Sequence, residues 1–506
     1  MNALKLGVCV GVLLIGKAAL AQDGPDASHP NSAPAAPSTT AVPRGPVQTK
    51  KKSVVNMEPW LLPFFNNAPV FGIPGTITGS LAARTQLTGD WAGARTNLAE
   101  HGWFFDAYTT SVYQNVMSGG LKTGSAFVQN IQLSVNLDTG RAGLWSGGLL
   151  HLTAQSRYGD SPDNTFTTGS VLPVYTGLVL PGPLFSNNTY PSEYFLVQGL
   201  TENVSIVLGK VSNIFLPDQT LFGDSYKYDF ANFNFLKNPM QANFFNPTSL
   251  AALVSWRPTD TITIRGGVLD PNTQPDNFAA HAFDRVNLWS QSIVSYKIRG
   301  LPGEATPSYT WSNKPKINLE SPFIAVPPAQ RTQAVGALLG LSSTDGLETN
   351  FKDRSWFAIA NVSQYFVVKD DSAVVAEKLK SGQVLRGIGV FGRVGVAPEA
   401  SNTISRDASV AVFAHGVFDS RQYDSVGTGF YYNGISSDLK NAIAQLTAGR
   451  TAVKNEKGTE VFYDFAITPA VRLIPSYQHI WNPFTAVVIT RQSHADVFLL
   501  RLTLAF

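Results

Sequence analysis

The stretch Asp496-Val497-Phe498-Leu499-Leu500-Arg501-Leu502-Thr503-Leu504-Ala505-Phe506 decides the fold class. Phe498, Leu500, Leu502, Leu504 and Phe506 recur at every second position, with Arg501 and Thr503 between them. Side chains alternate across a β-strand, so this segment presents one apolar and one mixed face. A strand of a soluble sandwich also alternates, but it rarely stops at a phenylalanine. In a membrane barrel the last strand closes the sheet on itself, because an open edge in lipid leaves peptide groups unpaired. The aromatic residue at 506 also resembles the signal such barrels present to their assembly machinery.

The same period of two extends back to about Leu81, interrupted by short polar turns. Hairpins are expected from Leu196 to Val211 turning at Thr201-Glu202-Asn203, from Leu253 to Val268 turning at Arg257-Pro258-Thr259-Asp260, and from Val461 to Tyr477 turning at Thr468-Pro469-Ala470. In the second, Ile262 and Ile264 face one way while Thr261, Thr263 and Arg265 face the other. Lipid suits the first face and water the second. Long Pro-, Gly- and Asn-rich connections are expected at 159–191, 213–246, 270–284 and 299–328. Short turns at one end and long loops at the other is the asymmetry of an outer-membrane barrel, with the loops outside the cell. At about 26 residues per strand and its share of connection, the segment from Leu81 to Phe506 holds roughly 16 strands. A barrel of that size encloses a water-filled channel. The fold class is therefore all-β: a transmembrane antiparallel β-barrel of about 16 strands, with long extracellular loops and a flexible N-terminal arm.

Composition agrees. Charged residues are 14% of the 506, aromatics 11%, and there are 43 glycines, a membrane-leaning balance. Lys5 precedes an apolar run from Leu6 to Ile15, and Ala19-Leu20-Ala21 ends it with a small-x-small cleavage pattern, so residues 1–21 read as a signal peptide. The run is far shorter than the ~20 residues of a spanning helix, and no later stretch reaches even about 18 uninterrupted apolar residues. The single cysteine, Cys9, lies inside this leader, and Leu6-Gly7-Val8-Cys9 makes a poor lipoprotein site because Val8 is large and the apolar run continues. Losing Lys5 and Lys17 with the leader takes the net charge from +3 to +1, so no anionic polymer, and no nucleic acid, is implied as partner. Residues 22–56, rich in Pro, Ala, Ser and Thr, read as a flexible arm ending in Lys50, Lys51 and Lys52. Residues 57–80, with Trp60, Phe64, Phe65 and Phe71 among prolines, read as an irregular periplasmic or plug segment, and 81–506 as the barrel.

The segment Leu87-Thr88-Gly89-Asp90-Trp91-Ala92-Gly93-Ala94-Arg95, continuing through Asn97-Leu98-Ala99-Glu100-His101-Gly102 to Phe105-Asp106, resembles the opening signature of the OprB-type carbohydrate-selective porins. The resemblance continues at Asn136-Leu137-Asp138, Glu193-Tyr194-Phe195, Gly392-Arg393-Val394-Gly395-Val396-Ala397-Pro398 and Tyr477-Gln478-His479-Ile480-Trp481-Asn482-Pro483. It implies a 16-stranded outer-membrane porin of a Gram-negative-type cell that lets mono- and oligosaccharides diffuse into the periplasm without a cofactor or metal. Sugars are the implied solutes. Outer-membrane lipid and the barrel-assembly machinery are the implied partners, and a homo-oligomer is open. Two departures stand out: Ala92 occupies a position where the family usually has glycine, and Ser156-Arg157-Tyr158-Gly159 replaces a histidine-glycine pair.

A sugar path needs bidentate donors, carboxylate or amide acceptors and aromatic platforms, with binding weak enough to allow release. Alternation places His151, Thr153, Gln155 and Arg157 on the face opposite Leu150 and Leu152, Arg265 opposite Ile264, Arg393 opposite Val394, and Asp464 opposite Tyr463 and Phe465. The resemblance adds Arg95 and Glu193. For each of these the plainer reading is a polar wall residue or an interior ion pair, and Arg95 has the further alternative of capping a turn beside Asp90. Trp91, Trp103, Trp289, Trp311 and Trp481 read as interfacial girdle residues. A barrel with a closed lumen that serves as a structural or adhesive protein is the competing class, and a barrel hydrolase a third. Asp224, Asp229 and His281 lack any serine elbow or metal-ligand spacing. Gly387-Ile388-Gly389 and Gly427-Thr428-Gly429 lie in strand pattern, where glycine permits close packing.

Overall fold

A computed structural model describes residues 77–159, 166–179, 188–213, 220–222, 225–274, 277, 282–322, 326–330, 333–334, 336, 346–380 and 383–506. The expected leader, the arm, most of 57–80, Asp224 and His281 lie outside them.

Sixteen strands among the described residues form one closed barrel. In chain order they are β1 (Trp103–Gly119), β2 (Gly124–Asp138), β3 (Gly148–Gly159), β4 (Asn188–Gly199), β5 (Val204–Ser212), β6 (Thr248–Thr259), β7 (Ile262–Leu269), β8 (Asn287–Ile298) and β9 (Leu301–Ser312). The second half comprises β10 (Ser355–Val368), β11 (Gly387–Val396), β12 (Ile404–His415), β13 (Ser425–Ile435), β14 (Glu456–Thr468), β15 (Val471–Trp481) and β16 (His494–Ala505). Every strand pairs antiparallel with its sequence neighbours, and β16 returns to β1 with Thr109 opposite Leu504 and Tyr113 opposite Leu500. No edge remains to expose peptide groups to lipid.

The alternation that predicts the strands also predicts their facing. Along β16, Val497, Leu499, Arg501, Thr503 and Ala505 are buried, while Phe498, Leu500, Leu502 and Leu504 are partly exposed on the outside. Two of the expected hairpins turn where their sequence places them, at 200–203 and 469–470, while the middle one turns later, at 260–261, because β6 runs on through Arg257, Pro258 and Thr259.

Three expectations about the wall need correction. The first strand begins at Trp103 rather than near Leu81, because the Gly89 to Gly102 stretch forms a tight turn and a short helix, α1 (Ala94–Glu100). The connection expected over 299–328 is two elements: a turn at Arg299-Gly300 and then strand β9. Pro302, Gly303 and Pro307 disguise that strand, but Thr306, Ser308, Thr310 and Ser312 are all buried on its inner face, with Tyr309 and Trp311 outside. Trp289 belongs to the inner face as well. It is 4% exposed and its indole N–H donates to Ser308 Oγ at 2.9 Å, so it is no girdle residue, whereas Trp103 and Trp481 are 40% exposed.

The interior differs most from expectation. The connection between β5 and β6, expected outside the cell, places its described part, from Ser225 onward, against the inner face of the barrel. Tyr226, Phe230, Ala231, Phe235 and Leu236 form one core with inward Val112, Phe391, Phe413, Tyr431, Phe462, Ile474, Val497 and Leu499. One sector of the lumen is thus packed rather than water-filled.

Candidate functional site

The inward turn of residues 225–246 follows from its composition. Tyr226, Tyr228, Phe230, Phe233, Phe235, Phe244 and Phe245 crowd into it, and that much apolar surface gains roughly 25 cal/mol per Å² when removed from water. The wall makes room where it has glycine. A Cβ at Gly427 would lie 2.9 Å from the Phe230 ring, one at Gly429 2.5 Å from Phe235, and one at Gly389 2.3 Å from Phe222.

Backbone groups of this constriction segment cannot be left unpaired inside the barrel, and charged wall side chains satisfy them. Arg501 donates to Tyr226 O at 2.6 Å and to Asp229 O. Thr503 Oγ1 donates to Lys227 O at 3.0 Å. Glu460 accepts the Ala231 and Asn232 N–H groups at 2.8 and 2.9 Å, one on each oxygen. Arg393 donates to Phe235 O at 2.5 Å and Leu236 O at 3.3 Å. The short helix α2 (Phe233–Leu236) is capped by Asn232, whose side chain accepts from Asn234 N at 3.0 Å. Asn238 and Asn234 reach Asp407 and Asn433 at 2.9 Å each. Bonds to charged groups contribute about 1.5–3 kcal/mol apiece, so the segment is a fixed part of the wall.

At its start, Lys227 crosses to the other side. Its ammonium donates to Gln132 Oε1 at 2.7 Å and lies 4.1 Å from the centre of the Tyr108 ring, with Asp106 and Glu193 the carboxylates in its field. The wall it meets is built in register: Asp106 stands opposite Ser134, Ser134 opposite Thr153, and Thr153 opposite Glu193 across β1 to β4. Neighbouring strands are about 4.8 Å apart, so these four side chains form one polar level around a quarter of the barrel. Ser134 and Thr153 hydroxyls are 2.8 Å apart. His151 joins them, with Nδ1 2.6 Å from Asn136 Oδ1, Nε2 2.7 Å from Thr153 Oγ1 and 3.9 Å from Glu193 Oε2, and its ring stacked on Phe195 at 4.5 Å.

The sequence candidates therefore separate. His151 and Glu193 come together with Lys227, and Gln155 and Arg157 continue the same inner face of β3 toward the loop end, both buried. Arg265 is inward and buried on β7, with Glu304 in its field. Between these polar groups lies an apolar inner patch of Phe195, Val197, Val207, Val211, Leu253, Leu269 and Trp289. Arg393 is inward too, but its guanidinium is committed to the constriction backbone. Asp464 is paired with Arg472, whose Nε lies 3.0 Å away. Arg95 lies at the β1/β16 seam, donating to the carbonyl oxygens of Phe506, at 3.3 Å, and Phe105. Asp229 accepts the Ser225 N–H at 2.8 Å and serves the turn.

Lys227, Asp106, Gln132 and Asn136 were missed by the sequence reading. The last three sit on strands whose facing the alternation could have supplied. Lys227 had only an indirect signal, the density of aromatic residues in a connection that solvent would not tolerate. Gln155 Oε1, Glu193 Oε2, Thr306 Oγ1, Thr310 Oγ1 and Ser363 Oγ have no hydrogen-bond partner among the described residues.

Comparison with known proteins completes the picture. The sequence model described as carbohydrate-selective porin, OprB family, matches residues 122–506. The high-pH structure of Pseudomonas putida OprB superposes with a TM-score of 0.67 at 16% identity, covering 83% of this chain and 98% of that one. The outer membrane channel DcaP of Acinetobacter baumannii aligns with a TM-score of 0.45 at 8% identity over 80% of this chain and 97% of that one. No curated protein matches the sequence.

Proposed function

Because this chain belongs to the OprB family of carbohydrate-selective porins, we propose that sugars cross it along the mixed inner wall of β1 to β9, opposite the constriction segment. The protein is an outer-membrane porin, a channel rather than an enzyme. The observation that carries the proposed path is the level at which Lys227 meets Gln132, Asp106 and Glu193.

A pyranose is neutral, ringed by hydroxyls and apolar on its faces. It exchanges hydration for wall contacts most readily where donors and acceptors alternate closely, as Lys227, Gln132, Ser134, Thr153, His151 and Glu193 do, and where aromatic surface lies beside them. Phe195 and the inward Trp289 supply that surface. Each contact is individually modest, which suits conduction: a site must release what it admits. Opposite charges held on facing elements also discourage bare ions of either sign. No cofactor or energy coupling enters this scheme, and export by a leader cleaved after Ala21 completes it.

Planar-bilayer recording of the purified protein tests the path. Stepwise conductance reduced by glucose or sucrose is expected, and Lys227→Gln should shift ion selectivity toward cations and weaken the sugar block. Absence of any conductance steps would sink the porin path. It would favour the second reading, a structural barrel with a shut lumen, which the low exposure of Lys227 and Glu193, 1% each, supports.

A further inference from the structure

The Gly89-Asp90-Trp91 signature has no place along the solute path, and its contacts lie elsewhere. Pairing between β1 and β16 ends at Tyr108 and Ala505, although β1 continues back to Trp103, still paired with β2. The two strands are staggered, as barrel closure requires, so backbone acceptors at the parting point face no strand partner. All other neighbouring strands are joined in sequence; at this one pair the chain itself provides no connection.

The signature fills the step. Leu87 N–H donates to Ala505 O at 2.8 Å, Arg95 donates to Phe105 O and Phe506 O, and Phe506 N–H donates to Ala107 O at 2.9 Å. Arg95 is 4% exposed, lies 3.7 Å from Asp106 Oδ1 and stands 5.1 Å from the centre of the Trp91 ring. Gln86 Nε2 donates to the same Asp106 oxygen at 3.2 Å. Asp90 holds the arm in shape by accepting Thr96 N–H and Thr96 Oγ1 at 2.8 and 2.7 Å.

We propose that residues 86–95 are a seam clasp, whose Leu87 N–H and Arg95 guanidinium supply the donors that the first and last strands lack where they part, so that the signature serves closure of the barrel rather than selection of solute. The clasp couples two ends of the barrel sheet some four hundred residues apart, and Arg95 suits the task because its fork reaches two carbonyls at once.

The test is amide hydrogen exchange on the assembled Arg95→Met protein in detergent. Amides of β1 and β16 next to the seam, Phe506 included, should exchange roughly tenfold faster or more, the size expected on losing a charge-assisted bond, while β8/β9 amides keep their wild-type rate. A disulfide between Ser111→Cys and Leu502→Cys, residues directly opposite across the seam, should restore the lost protection. If Arg95→Met fails to assemble, recovery of assembly by that disulfide supports the clasp equally. Unchanged seam exchange, equal acceleration at β8/β9, or no rescue by the disulfide would overturn the proposal.

Discussion

Ala92 shows how much one position can say. Its φ is +57°, and Trp91 before it is at +49°, in the left-handed region that costs a residue with a Cβ about 1 kcal/mol or more. The family's usual glycine at this place has a backbone reason. Ala92→Gly should therefore raise stability by about 1 kcal/mol, read as a higher temperature for loss of the compact, fast-migrating form in detergent electrophoresis; a lower temperature would contradict the backbone geometry. The second departure has a different logic. Gly159 keeps its glycine because a Cβ there would lie 2.1 Å from Phe127 O, while Arg157 takes the inward position. Arg393 is the instructive failure. Alternation correctly turned it inward, but whether an inward arginine meets solute or holds backbone depends on what stands opposite, and here Phe235 and Leu236 carbonyls do.

At the scale of elements, a strand's facing is a local property, legible along most strands, with inward Trp289 on β8 an exception. Leu500 lies midway along β16 on the lipid side, opposite Tyr113 on one neighbour and Pro475 on the other. Leu500→Arg should cost about 2–4 kcal/mol near the bilayer midplane and sharply reduce assembled protein in outer-membrane fractions, while Leu500→Phe should assemble normally; equal amounts of the two would reverse the assigned facing. β9 escaped because proline and glycine signal a turn in water. Here the wall partners on both sides, β8 and β10, outweigh that local preference. Buried carboxylates extend the strands' reach into the loops: Glu456 accepts from Ser170 Oγ, Val171 N, Phe484 N and Tyr431 OH at 2.6, 2.9, 3.0 and 3.1 Å, tying two connections to the rim of β14.

For the whole molecule, the packed sector and the polar wall are complementary halves of one device, a barrel narrowed from inside by its own chain. Replacing residues 225–245 with a short Gly/Ser connection should widen the lumen and raise single-channel conductance several-fold. It should also lower heat resistance, because Val112, Phe391, Phe462, Val497 and Leu499 would then face water; conductance that stays at the wild-type value would show that the segment does not narrow the path. What the sequence determined by itself was most of the sheet: the approximate strand count, the inward and outward faces of the strands it recognised, the short turns and the strand that closes the barrel. Those follow from a two-residue period and from the ban on unpaired peptide groups in lipid, both readable within a few residues. Only the tertiary structure decided that the β5/β6 connection enters the lumen, that Lys227 meets Gln132, that Arg393 grips a backbone and that Arg95 reaches Phe506. Each of these joins side chains far apart in sequence, where no periodicity carries information and the outcome depends on which surface the closed barrel presents.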